Sequence, residues 1–289
     1  VLFRSVKEYP VILSTTHSLR NSIGENYLFD YVIIDESSQV DIVSGALALS
    51  CGKNVVIVGD EKQLSNVVSD ELKVKTNEVF YSYDLDGAYN YSEKSLLTSI
   101  KTLYPDVPYT LLKEHYRCNP KIIGFCNEKF YNGELIPLTE NNIDNPLMVY
   151  KTVEGNHARG KFNQRELDVI FDEVIPKENL QNLNESIGII SPYRLQADEI
   201  RKYIGDLDIE ADTVHKFQGR EKDNIIISTV SNEMNDFISG SNLINVAVSR
   251  AVNRLILVVS GNKEFIETES NIGDLIRYIS YNNVECIKE

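Results

Sequence analysis

The chain has little that would let it coat a polyanion or cross a bilayer. Its 29 Lys and Arg face 43 Asp and Glu, for a formal net charge of −14, which argues against a broad nucleic-acid-coating surface. A narrow basic groove stays compatible with that balance, because phosphate contacts need only a few well-placed Lys, Arg and backbone N–H groups. No apolar run approaches the roughly 20 residues of a bilayer-crossing helix, so no membrane segment is expected. Cysteine is scarce: Cys51, Cys118, Cys126 and Cys286 form no C-x-x-C pair, a usage that fits a reducing cytoplasm. His115, Cys118 and Cys126 lie close in sequence, but their spacing matches no zinc finger or ribbon. The opening VLFRSVKEYP has neither an initiator Met nor an apolar leader region, so it reads as neither a natural start nor a signal peptide. No internal repeat or low-complexity tract is present.

At 289 residues the chain exceeds the usual single-domain size, which makes two domains the expectation. PVILSTT (10–16), YVIIDES (31–37) and NVVIVGD (54–60) are short β-branched runs of the kind that form parallel strands buried on both faces. Between them QVDIVSGALALSCG has helical apolar spacing and closes on Gly52, a helix C-cap candidate. Residues 65–107 are polar and Tyr-rich, with a short helix at SEKSLLTSIKTLY, and form the best boundary. YTLLKEHYR then reads as a strand and PKIIGFCNEKFYN as a helix opened by Pro120. Strands at LMVYKTV, SIGIISPY, NIIISTV and RLILVVSG alternate with helices at QRELDVIFDEVI, RLQADEIRKYI and LINVAVSRA. That alternation predicts an α/β fold of βαβ units with parallel sheets.

Ligands of such sheets sit beyond the carboxyl ends of the strands. Three polar clusters of the first half fall there: Thr15 and Thr16, Asp35 and Glu36 with Gln39, and Gly59 and Asp60 with Gln63. One carboxylate of the Asp35–Glu36 pair can hold Mg²⁺ through its water shell while its neighbour orients or deprotonates an attacking water, and a nearby amide can sense a γ-phosphate. An adjacent acidic pair alone is a weak signal, since most are solvated strand ends; GDEKQL at the next strand end makes the nucleotide reading the stronger.

VIIDESSQ, VVIVGDEKQL, LLKEHYRCNPKIIGFCNEKFYNGEL, IGIISPYRLQ, ADTVHKFQGREKDNIIIS and NLINVAVSRAVNRLILVV together resemble motifs II to VI of superfamily 1 helicases. The similarity is to the branch with a DExxQ Walker B motif and 5′-to-3′ polarity, typified by the RNA-surveillance helicase and its DNA-acting relatives. It implies two RecA-like domains of the P-loop NTPase fold. Residues 1–107 would be the rear part of the first, truncated at its N-terminus and carrying motifs Ic, II and III. Residues 108–289 would be the second, with motifs IV, V and VI. ATP and Mg²⁺ are the implied cofactors, and single-stranded nucleic acid, DNA favoured over RNA, the implied partner of a monomeric, cytoplasmic enzyme.

Carried over residue by residue, the resemblance makes Asp35 the Mg²⁺ ligand and Glu36 the activator of water. Gln63 contacts the γ-phosphate, Arg117 reaches it from the second domain, and Arg250 is a second arginine finger. Tyr116 stacks on adenine, Glu221 holds the ribose, and Gln39, Asp60 and Gly219 complete the nucleotide set. A planar guanidinium suits bidentate phosphate binding independently of any family. Thr15, Thr16, Ser191, Pro192, Tyr193, Asp212, Thr213 and His215 match nucleic-acid-contacting positions. Tyr193 is either a base-stacking platform or a tyrosine packed at a turn, and His215 either a direct contact or a solvated loop residue. The sequence departs from the family at Ser65, Asn66, Cys118, Asn119 and Ser249, which affects fine geometry and removes no charged group. The rival reading is a helicase-like module that binds nucleic acid or a partner without catalysis; the joint presence of Asp35, Glu36, Arg117 and Arg250 speaks against it.

GNHARGKF (155–162) matches G-x-x-x-x-G-K, yet Phe162 follows the lysine where a P-loop needs a hydroxyl for Mg²⁺. It also lies after the Walker B strand, whereas this family places its phosphate loop before. It reads instead as a solvated loop leading into a helix capped by Asn163, and the phosphate loop is expected upstream of Val1. Without P-loop amides and lysine, most of the preorganised charge around a transferring phosphoryl is missing. Purified residues 1–289 should therefore show no helicase-like ATP hydrolysis with or without single strands; brisk turnover in a phosphate-release assay would refute this.

Overall fold

The computed structural model describes residues 9–23, 27–140, 142–205, 207–233, 235, 238–267, 269–282 and 287–288; Cys286 lies outside them. The chain divides into two compact units, Val1–Thr110 and Leu111–Glu289.

In the first unit Thr15 caps helix α1 (Thr16–Ser22), its hydroxyl accepting the Ser18 N–H at 3.2 Å. Strand β1 (Phe29–Ile34) runs parallel to β2 (Gly52–Ile57), from Phe29 beside Gly52 to Ile34 beside Ile57. Helix α2 (Ile42–Leu49) joins them, opened by Asp41, whose carboxylate accepts the Val43 and Ser44 N–H groups. Helix α3 (Asp70–Ser82) and the capping-boxed α4 (Leu96–Leu103) follow. Val32 and Ile34 pack with Ala48, Cys51 and Leu96 into a small core, while Tyr31 and Ile33 on the opposite side of β1 are 66% and 68% exposed.

Three expectations fail here. PVILSTT forms no strand: it pairs with nothing among the described residues, its last residue Thr16 begins α1, and Val11 and Leu13 are exposed. Neither strand is buried on both faces: β1 buries only Val32 and Ile34, and β2 buries no residue, Val55 and Val56 being exposed. Gly52 is not a helix cap: Ser50 takes that position and Gly52 begins β2.

The second unit opens with a short parallel pair, β3 (Glu114–His115) and β4 (Ile136–Pro137), around helix α5 (Pro120–Phe130), which Asn119 caps with Pro120 in its first turn. Of the strand expected over YTLLKEHYR, only these two residues pair. The main sheet comprises β5 (Leu147–Lys151), β6 (Ile187–Ser191), β7 (Ile209–Thr213), β8 (Lys222–Ser228), β9 (Ala251–Val259) and β10 (Ile287–Lys288). All pairings are parallel, in the order β10-β5-β9-β8-β6-β7. One face is covered by α6 (Gln164–Asp168), the π-turn Val169–Val174 continuing it, α7 (Ile175–Lys177) and α8 (Arg194–Ile204). The short α9 (Val214–Phe217) follows β7. Helix α10 (Ser241–Val248) packs with α5 and with α12 (Asn271–Asn282), beyond the short α11 (Lys263–Glu267). Leu147–Tyr150, Ile187–Ser191 and Leu255–Val259 are buried throughout, as an α/β sheet covered on both faces demands. No helix of the described residues is long and apolar enough to cross a membrane.

One interior carboxylate ties this unit together. Glu166, on the first turn of α6, is fully buried. It accepts the Ser228 hydroxyl at 2.6 Å, the Thr229 hydroxyl at 3.1 Å and the Val230 N–H at 2.9 Å to each oxygen. Val230 sits at φ +71°, a conformation costly for a β-branched residue; the Asn163 amide donates to its carbonyl at 2.8 Å. Burial pushes the Glu166 carboxyl up to about 7, against the lowering by its hydrogen bonds to Ser228, Val230 and Thr229. The folded state thus keeps its proton to higher pH than the unfolded chain, and this group's stabilisation falls as pH rises from the ordinary 4.5 through about 7. Glu166→Gln, which mimics the protonated acid, should flatten that dependence by on the order of 3 kcal/mol between pH 5 and pH 8. Urea unfolding of both proteins at the two pH values checks it, and parallel pH dependences would rule the account out.

Candidate functional site

In the first unit the ends of β1 and β2 are joined beyond the ladder. Val58 N–H donates to Ile34 O at 2.8 Å, and Ser37 gives both its N–H (2.9 Å) and its hydroxyl (2.6 Å) to Val58 O. Asn66 N–H closes on Ser38 O at 3.0 Å. A Cβ at Gly59 would lie 2.5 Å from Ser37 Oγ and 3.1 Å from Ser38 N, so the two loops approach this closely only because residue 59 has no side chain.

The acidic pair stands on this frame. Asp35 follows β1 directly, its carboxylate accepting the Glu36 N–H at 2.8 Å. Glu36 has φ +50°, a left-handed glutamate of the kind strain concentrates at functional sites. Gln39 holds it twice, with its N–H on Glu36 O (2.8 Å) and its amide on Glu36 Oε2 (3.2 Å). In the neighbouring loop Asp60 accepts Lys62 N–H at 2.8 Å and the Gln63 amide at 3.2 Å. Asp35, Glu36 and Gln39 are therefore brought beside Asp60 and Gln63. Thr15 and Thr16 stand apart at the start of α1, Thr15 engaged as its cap.

In the second unit three distant segments meet. Arg117 forms an ion pair with Glu221 through Nε. Arg250, only 3% exposed, donates to Val246 O (3.1 Å), Arg220 O (3.4 Å) and Ser249 Oγ (3.0 Å). Both guanidinium charges act on His115 and Cys118. Gly219, at φ +78°, makes the turn that delivers Arg220 and Glu221. Tyr116 is exposed, its hydroxyl donating to Glu114. Sequence reasoning missed His115, whose Nε2 accepts the Cys118 N–H at 2.9 Å and whose imidazole is held below its usual value by burial, then by Arg117 and Arg250. Two departures from the family pattern contact each other, Cys118 Sγ donating to Ser249 O at 3.4 Å.

Ser191 and Thr213 lie side by side at the ends of β6 and β7, with Asp212 one residue back. Ser191 and Pro192 are buried, and Tyr193 is half-buried with Lys161 Nζ 5.8 Å from its ring centroid. Asp212 is bound to Arg201 at 3.0 Å, and His215 is exposed on α9. The GNHARGKF loop lies between β5 and α6. Asn163 caps α6 as its sequence implies, but Glu166, the N3 acid of an Asn-x-x-Glu pattern, turns into the interior instead of back to the cap. Two concavities of about 510 and 530 Å³ in this unit are lined by none of the candidate site residues.

Residues 92–263 match one AAA domain family and residues 4–71 a second. An uncharacterised ATP-dependent helicase of Methanocaldococcus jannaschii is 28% identical over 94% of this chain and 42% of its own length. The DNA polymerase alpha-associated DNA helicase A of Saccharomyces cerevisiae is 32% identical over 84% of the chain and 40% of its own. Helicase sen1 of Schizosaccharomyces pombe is 30% identical over 86% of the chain and 15% of its own. The chain belongs to the AAA-domain superfamily 1 helicases, in the branch that contains sen1. It spans less than half the length of each of these relatives.

Burial pushes the Cys118 thiol up to about 12 and the Cys126 thiol well above its ordinary value. At pH 8 the thiolate fraction of Cys118 is then about one in ten thousand. Iodoacetamide at that pH should leave both cysteines unmodified in the native chain and label both in urea, read by peptide mass spectrometry. Rapid native labelling of Cys118 would contradict the packing described.

Proposed function

We propose that this chain is part of an ATP-dependent helicase that moves along single-stranded nucleic acid. The observation that carries the reading is the meeting of Arg117, Glu221 and Arg250, far apart in sequence and drawn from the three segments that resemble motifs IV, V and VI. Arg250 has its planar fork oriented by main-chain carbonyls, and Arg117 is held by a carboxylate. Both would stabilise negative charge developing on a γ-phosphate, a task at which such fingers contribute on the order of 10³ to 10⁵ in rate. Glu221 holds the ribose and Tyr116 offers an exposed ring to adenine, with the Gly219 turn setting their spacing.

The donor set at the end of β1 fits Mg²⁺. Asp35 supplies hard carboxylate oxygens at the strand end. That suits an ion bound by one or two carboxylates together with waters and substrate phosphates. Asp35 would hold the ion, which when bound neutralises phosphate charge. Glu36, fixed by Gln39, orients and deprotonates the attacking water, while Gln63, braced by Asp60, reads the γ-phosphate.

The nucleic acid is taken by Thr15 and Thr16 in the first unit and by Ser191, Pro192, Tyr193, Asp212, Thr213 and His215 in the second. Recognition through backbone and stacking is tolerant of sequence. DNA is the favoured substrate, with the enzyme acting as a cytoplasmic monomer.

In the full-length parent, Glu36→Gln and Arg117→Ala should each lower the kcat of ATP hydrolysis at least a hundredfold while ATP binding persists. Steady-state hydrolysis with matched DNA and RNA single strands, beside nucleotide binding by fluorescence, tests this. A Glu36→Gln enzyme with wild-type turnover would defeat the assignment.

A further inference from the structure

The glycine-containing loop that fails as a nucleotide loop has a different use. Its two glycines take φ +138° (Gly155) and +63° (Gly160), and Arg159 N–H closes the loop on Phe162 O at 2.7 Å. Gly155 N–H is held by the Asn262 side chain at 2.8 Å, and the Asn232 amide joins Asn156, His157 and Ala158. The loop is thus fastened to the segments that follow β8 and β9.

Its far end is fixed by a buried amide pair. Asn163 N–H donates to Gln196 Oε1 at 2.9 Å, and Gln196 Nε2 returns to Asn163 O at 3.2 Å and to Ser228 Oγ at 3.0 Å. Asn163 and Gln196 are both fully buried. Lys161 lies two residues before Asn163 and Tyr193 three before Gln196, so this pair sets the distance between the lysine and the ring. The result is an exposed ammonium 5.8 Å from the centroid of a half-buried tyrosine, and Lys161 enters no ion pair among the described residues. Arg159, by contrast, spends its guanidinium on the carbonyls of Asn156 and Ala158.

An aromatic ring with a cation over it, the cation having no acidic partner among the described residues, at the carboxyl ends of a parallel sheet, suits one repeating ligand: a base against the ring and the adjoining phosphodiester on the ammonium. We infer that Lys161 is a phosphate contact for single-stranded nucleic acid, working with Tyr193 as one unit and rigidly placed by the Asn163–Gln196 pair. The inference rests on the helicase reading of the protein and extends it to a loop that lies outside the motif segments.

The test is equilibrium binding of fluorescein-labelled oligo(dT) and oligo(U) by the full chain over 50–400 mM NaCl, for wild type, Lys161→Ala, Lys161→Arg and Tyr193→Ala. Loss of one phosphate contact reduces the slope of log K against log salt by about 0.7 and weakens binding roughly fivefold at 0.1 M salt. Lys161→Ala should show both effects and Lys161→Arg neither; Tyr193→Ala should weaken binding at every salt concentration. Lys161 is exposed, so its replacement leaves the fold intact. Wild-type slope and affinity in Lys161→Ala overturn the inference while leaving the helicase reading standing. Weaker binding with an unaltered slope also overturns it, by assigning Lys161 to the packing of Tyr193. Absence of any single-strand binding by wild type overturns the inference, while strand-stimulated ATP hydrolysis by the full-length parent decides the helicase reading separately.

Discussion

A carboxylate sealed from water has to be surrounded by donors, and in the second unit that requirement organises everything at the carboxyl end of the sheet. Glu166 draws Ser228, Thr229 and the Val230 amide onto its two oxygens. Val230 can accept its left-handed backbone only because Glu166 grips one side of the residue and Asn163 the other. Asn163 is in turn bound to Gln196 at the start of α8, so the loops after β5, β6 and β8 share one geometry. A half-satisfied network of this kind is worse than an apolar core, whereas a complete one rigidifies its surroundings.

Cations near the motif residues are compensated in two different ways. Arg117 has a carboxylate partner, and so do Arg220, Lys222 and Arg254, which pair with Glu210 and Glu185. Arg250 is buried, and the partners of its guanidinium include two main-chain carbonyls and the Ser249 hydroxyl. Carbonyl dipoles hydrate a guanidinium without cancelling its charge, and they fix its plane through the helix and turn that carry them. A chain of strong net negative charge can in this way keep positive potential at chosen points.

The second unit was largely readable before any coordinates. Continuous runs such as Ile187–Ser191 and Leu255–Val259 betray strands covered on both faces, and the apolar spacing of Arg194–Ile204 gives α8. Where the reading failed, a local signal competed with context. PVILSTT has strand propensity, but propensity pairs with nothing by itself. Helix α3 buries no residue and so shows no apolar stripe, although Ser69 followed by Asp70 and Glu71 is a start signal. Strand β7 is broken up by Glu210 and Asp212, which its edge position tolerates. Helix α12 does carry the pattern, with Ile272, Leu275, Ile276 and Ile279 on one side. The roles proposed for the motif residues rest on resemblance, and no local pattern marks Glu166. An acid in the first turn of a helix ordinarily faces water.

The π-turn at Val169–Val174 sits one turn after Glu166 and widens the helix by one residue before α7 resumes. Since each helical residue advances about 100° around the axis, that insertion decides which side of α7 meets the sheet. Val169, Ile170, Val174 and Ile175 are all buried, and the i→i+5 spacing of a π-turn brings Val169 towards Val174 and Ile170 towards Ile175 on one side. The length of this segment is therefore under tighter constraint than its composition: apolar residues can be exchanged there, but adding or removing one would spin every residue downstream out of phase with the strands beneath.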